Sequence, residues 1–314
     1  KTVRSGETVE VMTGAVIPKG ADAVVSVEFT EIQGDRVVCY RDAPPGCNLL
    51  SRGSDVSAGG SIVSRGQMVT PALTGLLAAG GVYQVKVYPS PRVAVVATGD
   101  EVIAPGHPLR PGQLYASNVV TLYSWLRHFG MPGETAVVRD HPDELERTFR
   151  SLLSKNDALL TSGGAWKSER DLTTKVLDKM GWEMFFHRVR IGPGKAVALG
   201  ILDGKPIFCL PGGPPSNEMA FLQIALPGLL QMAGKPNAPF PLRKVRLAEE
   251  VCGDVTWTQF FQATLEKRGG EWWAIPHRMK SRIQSQARAQ ALIRIPEGVE
   301  CVAPGNIIEV QTLF

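Results

Sequence analysis

The stretch that most constrains this chain is Arg92–Glu101, RVAVVATGDE. Val93–Val96 is an unbroken apolar run, the pattern of a strand buried on both faces. A small-residue turn, Ala97-Thr98-Gly99, follows, and then two adjacent carboxylates, Asp100 and Glu101. A helix is expected from about Ser117. A strand that runs into a glycine turn and a helix, with acids at its carboxyl end, is how open α/β sheets build ligand crevices.

The theme recurs to about Gly234, so residues 91–236 read as a doubly wound α/β domain. Val119, Leu122, Tyr123, Leu126 and Phe129 share one face of a helix over about 117–129. A strand at Ala136–Val138 precedes Asp140, which sits as an N-cap before Pro142 and a helix burying Leu145, Phe149, Leu152 and Leu153. The strand Ala158–Leu160 ends in Thr161-Ser162-Gly163-Gly164, and Asp171 caps the next helix. The turn Gly192-Pro193-Gly194-Lys195 precedes a buried strand, Ile207–Leu210. That strand ends in Pro211-Gly212-Gly213-Pro214-Pro215-Ser216 and feeds a helix bent at Pro227.

The flanks differ. Residues 1–47 read as a β-rich unit with strands at Ala23–Val27 and Val37–Tyr40, and 48–90 as a linker domain with a helical patch at Thr70–Ala79 and a strand at Tyr83–Tyr88. Short strand-like runs over 240–314 fit a small all-β barrel or sandwich. The fold class is therefore α/β multidomain, with β and irregular domains before the central sheet and a small all-β domain after it.

Bulk properties exclude some functions. No apolar run is long enough to span a bilayer. The net charge of +4 permits an anionic ligand but gives no argument for nucleic acid. The five cysteines are far apart with no CxxC or zinc spacing, and Lys1-Thr2-Val3-Arg4 leads into a polar segment, so free thiols in a reducing cytoplasm are expected. The five histidines show no ligand spacing and read as surface residues.

Three loops, Thr98–Glu101, Ser162–Asp171 and Pro211–Ser216, end strands of one sheet and should share an edge. Glycines let backbone N–H groups approach an anion, and helix N-termini favour one. Carboxylates at the same edge make sense if a divalent cation mediates, and hard oxygen ligands beside phosphate suit Mg²⁺. Asp140 and Asp171 also stand where caps belong, so capping competes with chemistry at both. Lys195 would supply fixed positive charge.

Taken together, these segments resemble the MoeA/gephyrin E-domain family, the molybdopterin molybdenumtransferases. The resemblance rests on Met12-Thr13-Gly14-Ala15, Gly20-Ala21-Asp22-Ala23-Val24, Arg52-Gly53-Ser54-Asp55, Thr98-Gly99-Asp100-Glu101, Arg139-Asp140, Ser162-Gly163-Gly164, Pro193-Gly194-Lys195 and Leu210-Pro211-Gly212 with Pro214 and Ser216. It implies that the C-terminal all-β domain is a small β-barrel. It also implies an enzyme that takes adenylylated molybdopterin and molybdate with Mg²⁺, places molybdenum on the pterin dithiolene and releases AMP. By motif position it implies Glu101, Asp140 and Asp171 as catalytic acids, with Asp100, Glu101 and Asp171 handling the metal. Thr98, Gly99, Asp100, Ser162, Gly163, Gly164, Lys195, Pro211, Gly212, Pro214 and Ser216 would line the nucleotide and molybdate site. Thr13 and Asp55 would reach the partner's cleft in an elongated homodimer. A molybdopterin adenylyltransferase is the implied upstream partner, and the family's Ser-Ala-Met-Asp-Gly-Tyr segment is expected ahead of Lys1.

The chain also departs from the family pattern. Ala165-Trp166-Lys167-Ser168-Glu169 stands where the family has Val-Ser-x-Gly-Glu, and Gly192 and Ala196 flank Pro193-Gly194-Lys195. Gly213 and Pro215 replace Asn and Val, and Trp257 and Gln262 replace two arginines. An alternative function follows, a paralogue that binds a pterin or nucleotide as sensor, carrier or chaperone without inserting metal.

Overall fold

The computed structural model describes residues 2–164, 172–235, 239–278 and 281–314. The chain forms two compact units, Lys1–Lys86 and Val87–Phe314.

The first unit carries little regular structure. A hairpin joins β1 (Thr30–Gln33) to β2 (Arg36–Cys39), with Gln33 opposite Arg36 across a two-residue loop. Gly34 has φ 63°, the left-handed conformation such a loop needs at its first position. Helix α1 (Pro71–Ala79) starts at Thr70, whose hydroxyl accepts the Leu73 N–H at 3.2 Å, with Pro71 in the first turn. Leu73 and Leu77 are the only buried side chains of this unit among the described residues. Two expected strands are absent. Ala23–Val27 is not a strand: Val27 opens a 3₁₀ turn, Val27–Phe29, and the strand opposite Arg36–Cys39 is Thr30–Gln33. Tyr83–Tyr88 alternates in polarity but pairs with no strand among the described residues, and alternation without a ladder partner does not make a strand.

The second unit begins with β3 (Val93–Thr98), β4 (Val102–Ile103), β5 (Leu114–Tyr115), α2 (Ser117–His128), β6 (Thr135–Val138), α3 (Pro142–Leu153) and β7 (Ala158–Ser162). Next come α4 (Leu172–Lys179), β8 (Glu183–His187), β9 (Ile191–Gly192), β10 (Ala198–Leu202), β11 (Lys205–Leu210), α5 (Pro214–Ala220) and α6 (Leu226–Met232). The sheet order is β6-β3-β7-β11-β10-β8. β6, β3, β7 and β11 run parallel, and β10 is antiparallel to both its neighbours. All six residues of β3 are buried. Val93, Val95 and Ala97 face a core shared with α2, α5 and α6, while Ala94 and Val96 face the core under α3 and α4. This two-sided burial is what the run Val93–Val96 encodes.

Pro227 acts as expected on the last helix, by a specific device. It has no N–H for the Gln223 carbonyl, and the helix widens to a π segment, Phe221–Ala225, closed by Leu226 N–H on the Phe221 carbonyl.

The remainder is β12 (Leu242–Leu247), β13 (Val251–Cys252), β14 (Thr258–Arg268), β15 (Glu271–Pro276), α7 (Arg282–Arg288), β16 (Ala291–Ile295), β17 (Cys301–Val302) and β18 (Ile307–Thr312). The pairings β14-β15-β12-β18-β16-β14 close a small barrel around Val245, Leu247, Ala263, Ala274, Ile293 and Val310. The expectation of five free thiols fails here. Cys252 and Cys301, 49 residues apart, face each other across the β13–β17 pair and form a disulfide. Only the strand pairing brings them together, so no local spacing could announce it. Cys39, Cys47 and Cys209 are in no disulfide. His277 also departs from its expected surface role. It is half-buried, with Nε2 2.7 Å from Thr264 Oγ1 and Nδ1 3.0 Å from Ser285 Oγ.

Candidate functional site

Strand register fixes what stands at the carboxyl edge of the central sheet. Ala97 lies beside Ser162, Leu210 beside Ser162, and Thr98 beside Val138. The segments that follow these residues therefore leave the sheet together: Gly99-Asp100-Glu101, Arg139-Asp140, Gly163-Gly164 and Pro211-Gly212.

Contacts between the loops are close. The Gly163 N–H donates to the Leu210 carbonyl at 3.1 Å, and a Cβ at Gly163 would stand 2.9 Å from the Thr98 carbonyl oxygen. With φ 103°, this position suits glycine alone. A Cβ on Gly212 would lie 3.8 Å from the Gly163 Cα. Gly194, at φ 113°, approaches the Ser216 carbonyl and the Ala220 N–H, so the loop bearing Lys195 rests on α5. β9 pairs with Thr258 and Gln259, which ties this loop to the barrel. The Lys195 ammonium lies 5.5 Å from the centre of the Trp257 ring.

Three acids gather at the same rim. The Glu101 carboxylate folds over Gly99, where a Cβ would meet its Oε2 at 2.7 Å. The Asp140 N–H donates to Asp100 Oδ1 at 3.3 Å. The Asp140 carboxyl is pushed above the usual carboxylate range, first by partial burial and then by the charges of Asp100 and Glu101. None of the ion pairs among the described residues involves these acids. Asp140 is not a cap. The N-cap of α3 is His141, which makes no side-chain capping bond, and Asp140 stands one residue earlier with its N–H turned to Asp100. Asp171 and Trp166 lie outside the described residues.

Sequence reasoning missed the side chains that hold the loops. Asn118 Nδ2, in the first turn of α2, donates to Ser162 Oγ at 3.1 Å and to the Gly212 carbonyl at 2.8 Å. Asn217 Nδ2, in α5, donates to the same Ser162 Oγ at 3.1 Å and to the Pro211 carbonyl at 2.8 Å. Ser162 thus accepts twice, and its O–H is left to donate. The buried Thr98 and Thr173 hydroxyls are 3.3 Å apart, linking β3 to α4. The available signal was an asparagine in the opening turn of a helix whose next residues, Met219–Leu222, are apolar. Glu218 is a second omission. It is buried, accepts from Trp125 Nε1 at 2.9 Å and from Gln286 Nε2 at 2.8 Å, and so joins α2, α5 and α7. Thr13 and Asp55 are exposed turn residues of the first unit.

Comparison with known proteins bears on what such an edge is for. A family model described as "Probable molybdopterin binding domain" matches residues 94–231, the MoeA N-terminal region (domain I and II) matches 1–81, and the MoeA C-terminal region (domain IV) matches 244–313. Molybdopterin molybdenumtransferase 2 of Mycobacterium tuberculosis is 32% identical over 309 residues, covering 96% of this chain and 76% of the relative. The chain belongs to the MoeA family. Within it, molybdopterin molybdenumtransferase of Haemophilus influenzae is 34% identical over 233 residues, 74% of this chain and 57% of that protein. The crystal structure of a molybdopterin biosynthesis MoeA protein from Pyrococcus horikosii superposes with a TM-score of 0.82 at 32% identity, covering 99% of this chain and 77% of that one. The expected family and the expected central and barrel folds of a MoeA chain are thus met.

Proposed function

We propose that this chain is a molybdopterin molybdenumtransferase of molybdenum cofactor biosynthesis. It takes adenylylated molybdopterin and molybdate, places molybdenum on the pterin dithiolene and releases AMP. The observation that carries the reading is the single rim shared by the Gly163, Gly212 and Gly194 turns and by Asp100, Glu101 and Asp140. Backbone amides and the Ser162 hydroxyl hold phosphate oxygens, and Lys195 supplies the fixed cation beside the oxyanion. The relatives' name favours this reading over a binding paralogue that inserts no metal.

The donor set fits Mg²⁺. It offers only carboxylate oxygens, and Asp140 is disfavoured as an anion by its own neighbours, a repulsion that a divalent cation relieves. Asp100 and Glu101, with Asp171, would hold the ion, which when bound offsets charge on the phosphoanhydride. Asp140, whose proton is held more tightly than an ordinary carboxyl's, would manage the proton of the attacking water.

The remaining assignments extend the proposal. The protein acts as a homodimer in the cytoplasm and receives its substrate from a molybdopterin adenylyltransferase. The support for a second copy is the apolar surface of the first unit, where Val16, Ile32, Leu50 and Tyr83 are exposed. The support for a soluble location is that no helix among the described residues is long and apolar enough to cross a membrane. Thr13 and Asp55 would then reach the partner's cleft.

The test is molybdate-dependent AMP release from adenylylated molybdopterin in Mg²⁺. Glu101→Gln should lower turnover by about 10²–10⁴-fold with unchanged thermal stability. Pterin-nucleotide binding with no turnover by the wild-type chain would sustain the non-inserting paralogue instead. Sedimentation at micromolar concentration checks the dimer, and a monomer would remove that part of the proposal.

A further inference from the structure

The barrel carries a second cluster of metal-ligating side chains, remote in sequence from every loop of the sheet edge. Glu250, Cys252 and Cys301 are exposed, and one ligand atom from each lies within 4.8 Å of the others. The backbone explains the grouping. Glu250 and Cys252 are two residues apart along one extended stretch, so their side chains share a face. The Gly253 N–H donates to the Glu300 carbonyl at 2.7 Å, which makes Cys252 and Cys301 a pair without ladder bonds of their own. In such pairs the side chains stand closest, and here the Cα atoms are 4.0 Å apart. The strand before Cys252 is pinned separately. Arg278 donates from Nη2 to the Glu250 carbonyl at 2.8 Å and from Nε to Glu249 Oε2 at 2.9 Å. None of these restraints uses the sulfur–sulfur bond, so opening the disulfide leaves the three side chains gathered.

We propose that the Cys252–Cys301 pair, once reduced, forms with Glu250 an exchangeable Zn²⁺ site on the barrel surface, and that the disulfide is the state that excludes the metal. Two thiolates and a carboxylate are a donor set zinc accepts, with water at the open fourth position. Exposed disulfides are the reducible ones. A dithiol reductant opens this one by exchange: it gives up two electrons and two protons, becomes a disulfide itself, and leaves two cysteine thiols. Zinc then displaces both thiol protons to solvent. In a reducing compartment the site is therefore open, and oxidation closes it with release of the metal.

The experiment titrates zinc into the full chain against a chromophoric chelator, under anaerobic conditions, for three samples. Reduced wild type should take up an equivalent of zinc that the oxidised wild type lacks and that reduced Cys301→Ser loses. Oxidised wild type carries no substitution, so the comparison stands even if the variant folds poorly. Cobalt in place of zinc should show a thiolate-to-metal charge-transfer band in reduced wild type alone. Glu250→Gln should weaken zinc binding without abolishing it. Equal uptake by reduced wild type and Cys301→Ser would place the metal on Cys39, Cys47 or Cys209 and overturn the proposal. Equal uptake by oxidised and reduced protein, or none by the reduced protein, would overturn it as well. Unchanged affinity in Glu250→Gln would overturn the three-ligand site.

Discussion

The two units of this chain solve burial in opposite ways. In Val87–Phe314 the strands β3 and β7 are buried along their whole length, and the helices on either face bury Leu122, Leu126, Phe149 and Phe221 completely. In Lys1–Lys86 only Leu73 and Leu77 are buried among the described residues, while Met12, Val16, Ile32, Leu50 and Tyr83 are at least 75% exposed. A sheet covered on both faces gains its stability within itself, whereas a hairpin and one short helix do not remove enough apolar surface from water to offset the entropy of ordering 86 residues. The first unit therefore holds little core of its own among the described residues, whereas the second is a rigid frame. The loops proposed for chemistry stand on that frame.

The comparison breaks first at Phe149, a residue of α3 fully buried against the sheet. Phe149→Ala should cost about 3–5 kcal/mol in denaturant unfolding of the full chain. Val16→Ala, at a side chain 93% exposed, should change stability by less than about 0.5 kcal/mol when measured on the dilute monomer. Similar costs at the two positions would mean that the first unit has a core of its own. The next effect is smaller and lies at the join between frame and site. Asn217→Ala removes the buried amide shared by Ser162 Oγ and the Pro211 carbonyl, and should cost about 1–3 kcal/mol. It should also lower the rate of AMP release beyond what the stability loss explains, because the two loops lose one of the two amides that bridge them. Wild-type kinetics in a folded Asn217→Ala protein would make the amide structural only.

The frame was legible in the sequence because it is built from local runs. Val93–Val96 marks a strand wherever it meets neighbours, and Pro142 and Pro227 act on the backbone by chemistry that does not depend on context. The edge loops were legible through their glycines, since the close approach of Gly163 to Thr98 leaves no room for a side chain. What the sequence hid depends on pairing at a distance. Asn118 and Asn217 are ordinary helix residues until the fold brings both to one hydroxyl, and Cys252 meets Cys301 only through β13 and β17. The alternation of Tyr83–Tyr88 misled for the complementary reason. A strand needs a ladder partner, and polarity pattern alone cannot supply one. Asp140 misled because the place before a helix suits both a cap and a ligand, and its N–H turned to Asp100.

The smallest effect tests whether the barrel shares the self-sufficiency of the sheet. His277 bridges Thr264 of β14 and Ser285 of α7, so one ring couples strand to helix. Burial holds its imidazole below the ordinary 6.5, the Ser285 carbonyl pulls it back up, and the Arg288 charge pushes it down again. The unfolded chain therefore takes up this proton first as the pH falls. The stability contributed by the neutral ring is full above about pH 6.5 and drains as the pH falls through that value toward the lower folded-state pKa. His277→Gln keeps a hydrogen-bonding amide there and does not titrate. Thermal unfolding between about pH 8 and pH 5 should show the wild type losing more stability on acidification than the variant, by less than about 1 kcal/mol because water still reaches part of the ring. Hydrogen exchange should confine that difference to β14, β15 and α7. If the two proteins acidify in parallel, α7 is held by the Gln286 bonds to Pro214 and Glu218 of α5, and it belongs with the sheet rather than with the strands it follows.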